Sequence, residues 1–572
     1  MILSRLLLLS LLAAAPLQAA DVNGKAEKLA GDDDKAIPTA VPTAQGDERG
    51  PVAVTRSPQA ASSFNLPAFV VTGSGERKAL ARRDDMGTRL DTSGGIKTSP
   101  GEAGAGKIQL EAQAVRTGLE DLSFSSKPFL GKLRLAAGYA PGYGAEGYVG
   151  QDLQKAFWLL NGSALGSEGG PLRAPMRAKA QRGAGGLDAR AGWRFDNGGS
   201  LALFGGGDHS QAQASLQDQG VFLSHDRALG GLEWQGPLAG LGTHLKAQGG
   251  QASAHLPGAE LWEDQARLDL GLEKRLNGRS GSALLEGDVS VETLSQASAS
   301  ERQTQLLSRG ALMSRFEAWP GSRLGIGLAA DLVSGDQSSM LLGPRLRFEQ
   351  RLGPLASLRA AFDTHLAVSR LQGAAFDQAL RAPSPGLKPS RQTADATVTL
   401  AWQALPELGL ELGGFASQAD DHFLPSAVGP WPVYADQPVR GYRLVGLRMG
   451  QRWQSGPWWQ SFEAVAQKPE LPDLGSLVTL TPWWSAELAV GGSWGLAKGW
   501  VKAQAVGERH GALDGSLPME AAVDLSALLS YAVQDDLDLF AEGRNLAGQR
   551  VETLAYAPDP APYVGAGLEW RF

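Results

Sequence analysis

Histidine is the first residue type to examine for chemistry, because its imidazole can ligate a metal ion or act as a general base near neutral pH. The chain has seven histidines at wide intervals, and no two stand at a spacing suited to zinc or haem: His209, His225, His244, His255, His365, His422 and His510. It has no cysteine, which excludes thiolate metal ligands, iron–sulfur clusters and cysteine nucleophiles. We therefore expect no metal site and no cofactor.

Serine and acidic residues give no clearer site. Gly162-Ser163 and other Gly-Ser pairs lack the surroundings of a nucleophile elbow. Triad members need not be adjacent in sequence, so a hydrolase stays as an alternative, although the chain is not expected to be an enzyme. The acidic run Asp32–Asp34 lacks the alternating ligands, central glycine and terminal glutamate of a calcium loop. Asp420-Asp421-His422 is interpreted as solvated loop charge at a strand end.

Tryptophan is concentrated in the last third of the chain. The residues concerned are Trp431, Trp453, Trp458, Trp459, Trp483, Trp484, Trp494, Trp500 and Trp570. An indole at a strand end suits the headgroup layer of a membrane, since its ring is apolar and its N–H can donate a hydrogen bond. The alternative is a stacking platform for sugars. A girdle predicts rings that face lipid, whereas a platform predicts rings that face inward or lie in loops.

The elements that must position these side chains begin after an N-terminus with the layout of a secretory signal peptide. A basic start ending in Arg5 precedes a mostly apolar run from Leu6 to Ala15, and Ala19 and Ala20 supply small residues for cleavage. The apolar run is too short for a spanning helix, which needs about twenty residues. An exported chain without cysteine forms no wrong disulfides in an oxidising compartment.

Composition favours a β-barrel over several soluble domains. The 572 residues include 74 glycines, and beyond residue 20 no segment has a long amphipathic helical pattern or a spanning apolar run. A mean hydropathy of −0.17 is too low for a helical membrane protein but suits a barrel, in which lipid-facing and lumen-facing residues alternate. The net charge of −7 is spread out, and no basic stripe carries interleaved aromatics, so no nucleic-acid partner is expected.

From about Gly131 to the end, segments of alternating character are separated by turn-forming residues. Three of them place apolar residues on one face and charged residues on the other: Ala266–Arg275, Leu342–Arg351 and Leu358–Leu366. In the last of these, the apolar face is predicted to hold Leu358, Ala360, Phe362 and Leu366, and the charged face Arg359, Asp363 and His365. Such period-two alternation indicates β-strands.

The last predicted strand, Tyr563–Phe572, decides between a soluble β-protein and a membrane barrel. Its apolar face holds Val564, Ala566, Leu568, Trp570 and Phe572. A chain that stops on an aromatic after alternating apolar positions resembles the C-terminal strand of outer-membrane proteins. Leu568, Trp570 and Phe572 are therefore predicted to be a signal for the barrel-assembly machinery. The predicted fold is all-β, a transmembrane antiparallel β-barrel of about 22 strands, an even number as closure requires.

Three stretches resemble the TonB-dependent receptors, outer-membrane transporters with a plugged barrel of about 22 strands. Leu537–Arg550 looks like the family's penultimate strand, which ends in Asn-Leu and a small turn. Arg381–Ser390 is similar to a compressed form of the Arg-Ala-Pro and Leu-Lys-Pro elements that flank an extracellular loop. It is followed by strands expected over Ala394–Trp402 and Leu408–Phe415. The third stretch, Phe69-Val70-Val71-Thr72-Gly73, looks like a TonB box or the opening of a plug.

The resemblance implies uptake of a scarce solute, such as a metal chelate, a vitamin or an oligosaccharide, across the outer membrane. TonB would supply the energy through the TonB-box candidate, which consists of Phe69, Val70, Val71, Thr72 and Gly73. Haem-transporting members carry a histidine near the Arg-Ala-Pro element. Here Arg381–Ser390 contains none, and His365 is the nearest candidate.

The region before the barrel departs from the family's pattern, because a family plug is much longer than the residues between Val71 and the first predicted strand. The alternative function is therefore a plugless outer-membrane pore or a structural scaffold, with its lumen filled by Ser74–Lys127 or by a separate partner protein. Residues 21–63 are rich in Ala, Asp, Pro, Thr and Gly and cannot bury enough apolar surface to order themselves.

Four regions are thus predicted. Residues 1–20 form a signal peptide, 21–63 a disordered periplasmic tail, 64–129 a TonB-box-like segment with a short plug remnant, and 130–572 the outer-membrane barrel. The bacterial outer membrane is the expected location. The expected partners are outer-membrane lipid, the barrel-assembly machinery, TonB and a small-molecule substrate.

Overall fold

A computed structural model of the chain describes residues 130–139, 142–153, 155–171, 179–216, 219–256, 259–278, 281–298, 301–368, 381–382, 389–428, 433–471, 481–513, 517–549, 552–554, 557–558 and 562–572. The predicted signal peptide, the periplasmic tail and the TonB-box candidate Phe69–Gly73 lie outside the described residues. These three assignments stay predictions.

The described residues contain 27 strands. They are β1 (Leu130–Tyr139), β2 (Gly142–Asp152), β3 (Ala156–Pro171), β4 (Lys179–Arg194), β5 (Ser200–Leu216), β6 (Gln219–Leu238), β7 (Leu241–Leu256), β8 (Ala259–Gly278), β9 (Gly281–Ser298), β10 (Arg302–Phe316), β11 (Ser322–Gly335), β12 (Ser339–Arg351), β13 (Ala356–Ala367), β14 (Arg381–Ala382), β15 (Ser390–Leu405), β16 (Leu408–Val428), β17 (Val433–Ser455), β18 (Trp458–Glu470), β19 (Trp484–Trp494), β20 (Ala497–Val506), β21 (Arg509–His510), β22 (Pro518–Met519), β23 (Ala522–Gln534), β24 (Leu537–Arg544), β25 (Glu552–Leu554), β26 (Ala557–Pro558) and β27 (Tyr563–Arg571). Within the described ranges, no helix has the length and apolar character needed to cross a membrane.

Twenty-two of these strands form one closed antiparallel barrel. Each pairs with the barrel strand that follows it in the chain, and β27 pairs back to β1, with Lys132 opposite Arg571 and Tyr139 opposite Val564. The short strands β14, β21, β22, β25 and β26 lie in the connections. Closure leaves no free sheet edge between first and last strands, as a membrane-spanning sheet requires. The predicted barrel of about 22 strands is confirmed.

Connection length differs between the two ends of the barrel. At the end that carries Leu130 and Phe572, every connection is short, from two residues at 239–240 to five at 195–199. The other end carries the long connections 368–389, 471–483, 507–521 and 545–562. Outer-membrane barrels have short periplasmic turns and longer extracellular loops. We therefore call the first the periplasmic end and the second the extracellular end.

The tightest periplasmic turns show why the chain reverses where it does. Ala239 and Gly240 form a two-residue connection between β6 and β7, with φ of 51° and 78°. Positive φ at both central residues is the type I′ turn, whose twist matches that of the flanking strands. Glycine at the second position adopts this conformation at little cost.

The two faces of the strands follow the alternation in the sequence. On β12, Leu342 is 63% exposed on the outer face, whereas Arg345 is 1% exposed and faces the lumen. On β8, Leu268 is exposed, while Arg267 and Asp269 face the lumen and form an ion pair at 2.9 Å. The outer face is thus apolar, as contact with acyl chains requires. The predicted alternation is confirmed on both strands.

Most tryptophans near the periplasmic end face outward. Exposed rings near this end include Trp193, Trp402, Trp458, Trp494 and Trp570. Trp458 stacks on Trp494 with 5.7 Å between the ring centroids. Trp459 and Trp500 instead face the lumen. Trp459 lies on the same face of β18 as the buried Glu463, and Trp500 lies opposite the buried Leu528 of β23. The outward set has the placement of a girdle at the headgroup layer rather than that of a sugar platform.

Candidate functional site

The inner wall of the barrel is lined by charged side chains that strand alternation turns inward. Oppositely charged, largely buried partners include Lys132–Glu569, Arg134–Glu542, Arg227–Asp208, Arg267–Asp269, Arg309–Asp363, Arg345–Asp363 and Arg448–Glu463. A buried charge is costly unless it is paired, and these pairs meet that requirement within one strand, between neighbouring strands or across intervening strands. Because both signs are interspersed, these pairs create no extended field of one sign along the wall.

One cluster of charges fastens the seam where the chain's first and last barrel strands meet. Glu569 of β27 binds Lys132 of β1 at 3.1 Å and Arg571 at 2.8 Å. Asp538 of β24 in turn binds Arg571, and Lys498 of β20 approaches Asp538 at 3.0 Å. The cluster therefore links β1, β27, β24 and β20 at the closing seam, where β23 lies between β24 and β20. Its role is structural.

The predicted assembly-signal residues lie in this seam but on its outer face. Trp570 is exposed toward lipid, and Leu568 lies opposite the exposed Leu135 of β1. The backbone N–H of Phe572 donates to the carbonyl of Gly131 at 3.0 Å. The predicted alternation of the last strand is therefore correct. Recognition of Leu568, Trp570 and Phe572 by the assembly machinery stays a prediction.

The Asn-Leu element of the penultimate strand ends β24 and turns the chain back. Asn545 adopts a left-handed backbone with φ of 45°, a conformation that asparagine tolerates better than most residues. Its backbone N–H donates to Asp524 Oδ1 at 2.9 Å, and the next N–H, of Leu546, donates to the Leu525 carbonyl at 2.8 Å. The Leu546 side chain covers Gly543. The motif is therefore a strand terminator held by β23.

The Arg381–Ser390 element lies in the connection between β13 and β15. Arg381 and Ala382 form β14, which pairs in parallel with Tyr434 and Ala435 of β17. The connection therefore leaves β13, reaches β17 and returns to start β15 at Ser390. Residues 383–388 lie outside the described ranges. The two strands expected after this element fall within β15 and β16.

His422 is buried, so its interpretation as solvated loop charge is wrong. It lies within β16 and stacks on Tyr442 with 4.5 Å between ring centroids and 11° between ring planes. Its Nδ1 atom lies 3.0 Å from Ser390 Oγ and 3.1 Å from Gln392 Nε2. Ser390 and His422 are both buried and offer a substrate no access. The error arose because β16 continues through these polar residues to Val428.

The other histidines do not assemble a metal site in the described part of the chain, where no group of three or more His, Asp or Glu side chains could hold a metal ion. His209 pairs with Asp226 at 2.7 Å near the middle of β5, and His255 pairs with Glu260 at 3.1 Å at the extracellular end of β7. His244 contacts Glu233 at 3.2 Å on the wall. These are pairwise contacts of single histidines with carboxylates.

The predicted faces of β13 are correct up to Asp363, but the predicted face of Leu366 is wrong. Asp363 faces the lumen, as expected, and binds two arginines that sequence reasoning did not connect to it, Arg309 and Arg345. Leu366, which the alternation predicts on the outer face, packs with Leu294 and other apolar residues on the lumen side. The cause is an interruption of the strand pairing that breaks the alternation after Asp363.

A closed ring of antiparallel strands, apolar outside and charged inside, defines a transmembrane β-barrel of the outer-membrane type. No protein-family model matches the chain, and no curated protein matches its sequence. Solved structures do match its fold. The FrpB iron transporter from Neisseria meningitidis (F3-3 variant) aligns with a TM-score of 0.64 at 11% identity, over 79% of this chain and 83% of that one.

Two further structures give the same result. The siderophore receptor PirA from Acinetobacter baumannii has a TM-score of 0.63 at 10% identity, over 78% of this chain and 81% of that chain. The copper transporter OprC has a TM-score of 0.61 at 13% identity, over 78% and 82%. At such identities the likeness establishes the fold alone. The predicted resemblance to TonB-dependent receptors is therefore confirmed at the level of the barrel.

Proposed function

We propose that this chain is an outer-membrane uptake barrel of the TonB-dependent-receptor type. The observation that carries the proposal is the closed ring of 22 strands. A barrel of about this size encloses a lumen too wide for wall side chains to fill, and in outer-membrane transporters that lumen holds a plug. The barrel fold shared with structures described as iron, siderophore and copper proteins supports the same function.

The cargo is a scarce solute, and the names of the structural neighbours favour a metal chelate over a vitamin or an oligosaccharide. The ion pairs of the wall favour neither sign of charge in the solute, because the acidic and basic members of each pair neutralise one another. Uptake of radiolabelled ferric chelates and copper by cells with and without the protein tests this cargo class. Equal uptake by both strains would remove metals from consideration.

TonB is the proposed energy source, acting through the segment Phe69–Gly73. Deletion of Pro67–Gly73 should abolish uptake while leaving the amount of barrel in the membrane unchanged. A deletion of the same length within residues 21–63 is the matched control, and it should leave uptake intact. Undiminished uptake after the first deletion would refute coupling through this segment.

Residues 64–129 are proposed to occupy the lumen as a short plug. Limited proteolysis of the membrane-embedded protein, with mass spectrometry of fragments from residues 21–129, tests this directly. Protection of Ser74–Lys127 with cleavage of residues 21–63 supports the plug. Digestion of everything before Leu130 with an intact barrel would favour the second candidate.

That second candidate is a plugless pore or a scaffold that works with a partner protein. The observation in its favour is the short interval between the TonB-box candidate and the first barrel strand at Leu130. Planar-bilayer recordings of the full chain separate the two candidates. A steady large current indicates an open pore, whereas a closed or gated barrel stays silent.

A further inference from the structure

The extracellular half of β13 leaves the barrel wall. β12 and β13 pair as far as Leu346 opposite Phe362, although β12 continues to Ser339 against β11. In the same register, the next outward-facing residue of β13, Thr364, would stand opposite Pro344. Proline has no N–H to donate, and in sheets it is found mainly where pairing stops. Pro344 therefore marks the place where the two strands separate.

The departing residues Asp363–Val368, here called the inward segment, lie inside the barrel. The side chain of Thr364 packs on Gly343, a buried lumen-facing position of β12, and any Cβ there would collide with it. The backbone N–H of Leu366 donates to Asp331 Oδ2 of β11 at 2.8 Å. Since β12 lies between β11 and β13 in the wall, this bond forms only if β13 crosses the inner face of β12.

Charge and apolar contacts hold the inward segment against the wall. Asp363 accepts from Arg309 of β10 at 3.1 Å and lies 3.2 Å from the Nε atom of Arg345 of β12. Beyond it, Val368 packs with Leu294 and Val333, both of which are buried on the lumen side. The segment is therefore attached to strands β9 to β12 rather than free in the lumen.

The start of β15 pairs with the inward segment and is held by contacts with β16, the strand on its other side. Ala367 lies opposite Ser390, and the register shifts beyond Gln392. Ser390 and Gln392 both contact His422, whose ring stacks on Tyr442 of β17. The inward segment and the start of β15, which pair with each other, are thus each held by their own contacts with buried residues.

We propose that the inward segment is a constriction of the lumen that limits, by size, what passes along the barrel. The inference rests on the second candidate function, the plugless pore, because a constriction of the wall limits passage only where no plug fills the lumen. It is built from the barrel wall and is independent of residues 1–129. Its carboxylate at Asp363 is neutralised by Arg309 and Arg345, so the constriction acts by its bulk rather than by its charge.

Cysteine pairs test the placement of the segment, and the chain supplies a background without cysteine. Oxidation in isolated outer membranes should link Gly343→Cys to Thr364→Cys and should not link Pro344→Cys to Thr364→Cys. A continuous β12–β13 ladder gives the reverse result, because positions 344 and 364 would then face each other on the same side of the sheet. Because a side chain at position 343 crowds Thr364, the pair Asp331→Cys and Leu366→Cys serves as a second test of the same placement.

Conductance of the full chain in planar bilayers with potassium chloride tests the constriction itself. Asp363→Asn removes the negative charge, and one of the two acceptor oxygens, that two arginines share, and it should conduct at least about twofold more than the wild type, because pore width limits ion flow. Arg309→Gln should act in the same direction. Glu233→Gln, which alters a wall ion pair with Arg190 away from the inward segment, is the matched control and should leave conductance unchanged.

The conductance of the wild type and the two segment variants tests both the constriction and the plugged transporter. Equal conductance in wild type and both segment variants overturns the constriction, and so does silence in all of them, because another element then limits passage. A steady large wild-type current that rises further in Asp363→Asn supports the constriction and contradicts the plugged transporter. Unchanged heat-modifiable mobility in gels verifies that each variant has folded.

Discussion

Arg134 of the first barrel strand donates a hydrogen bond to Glu542 of the penultimate strand at 2.7 Å, reaching across the last strand, which lies between them. The path is open because the last strand presents Gly565 and Gly567 to the lumen at this height. The guanidinium also lies over the ring of Phe540, 4.0 Å from its centroid. A side-chain bridge between β1 and β24 thus closes the barrel in addition to the backbone hydrogen bonds of β27 with both of these strands.

Loss of this bridge should weaken the closed barrel. Glu542→Gln leaves the buried Arg134 without its carboxylate, and breaking a buried ion pair from one side costs about 3 kcal/mol. Urea titration of the lipid-embedded protein, followed by tryptophan fluorescence, measures the change in the free energy of unfolding. Asp196→Asn, which removes the exposed partner of Lys155 in a periplasmic turn, should change stability by less than about 1 kcal/mol. Equal effects of the two variants would contradict the structural role of the bridge.

Glycine at position 567 is required by the ring beside it. A Cβ there would collide with the ring of Phe540 and with the Leu135 carbonyl, whereas a Cβ at Gly310 meets nothing within 4 Å. Gly567→Ala should therefore destabilise the barrel by about 1–3 kcal/mol through overpacking. Gly310→Ala should be tolerated, which makes it the matched control. Refolding yield into detergent micelles, read from gel mobility, distinguishes the two, and equal yields would refute the argument.

The left-handed backbone at Asn545 predicts a ranking of substitutions. Glycine adopts φ of this sign freely, so Asn545→Gly should lose the side-chain hydrogen bond to the Gln549 carbonyl without adding backbone strain. Asn545→Val adds about 1–2 kcal/mol of backbone strain, because its Cβ crowds the following carbonyl. Thermal unfolding should order the proteins as wild type, then glycine, then valine. A valine variant as stable as the glycine variant would disprove the strand-terminator role.

The barrel could be predicted from the sequence because its determinants are local. Alternation over Leu342–Arg351 assigns the two faces of one strand without reference to any other. The terminal aromatic pattern at Trp570 and Phe572 likewise separates lipid-facing from lumen-facing positions. Both predictions agree with the structure because neighbouring strands repeat the same alternation around a closed ring.

The inward segment could not be predicted in this way, because its determinants are long-range. Asp363 meets Arg309, 54 positions earlier, only after β13 has crossed the inner face of β12. The local signal for that departure, Gly343-Pro344, lies on a different strand from the residues it redirects. Alternation alone therefore placed Leu366 on the wrong face, and it gave no sign that His422 would be buried against Tyr442.

An arginine on the outer face tests whether the apolar surface lies in a membrane. Leu328 is 60% exposed, at the middle of β11. In water, Leu328→Arg would cost little, but at the centre of a bilayer a lipid-facing arginine costs about 2–4 kcal/mol. Leu352→Arg, in the periplasmic turn after β12, should cost about 0–1 kcal/mol, because arginine there reaches the interface. Urea titrations in lipid vesicles compare the two, and a Leu328→Arg variant as stable as Leu352→Arg would place this face outside the hydrocarbon layer.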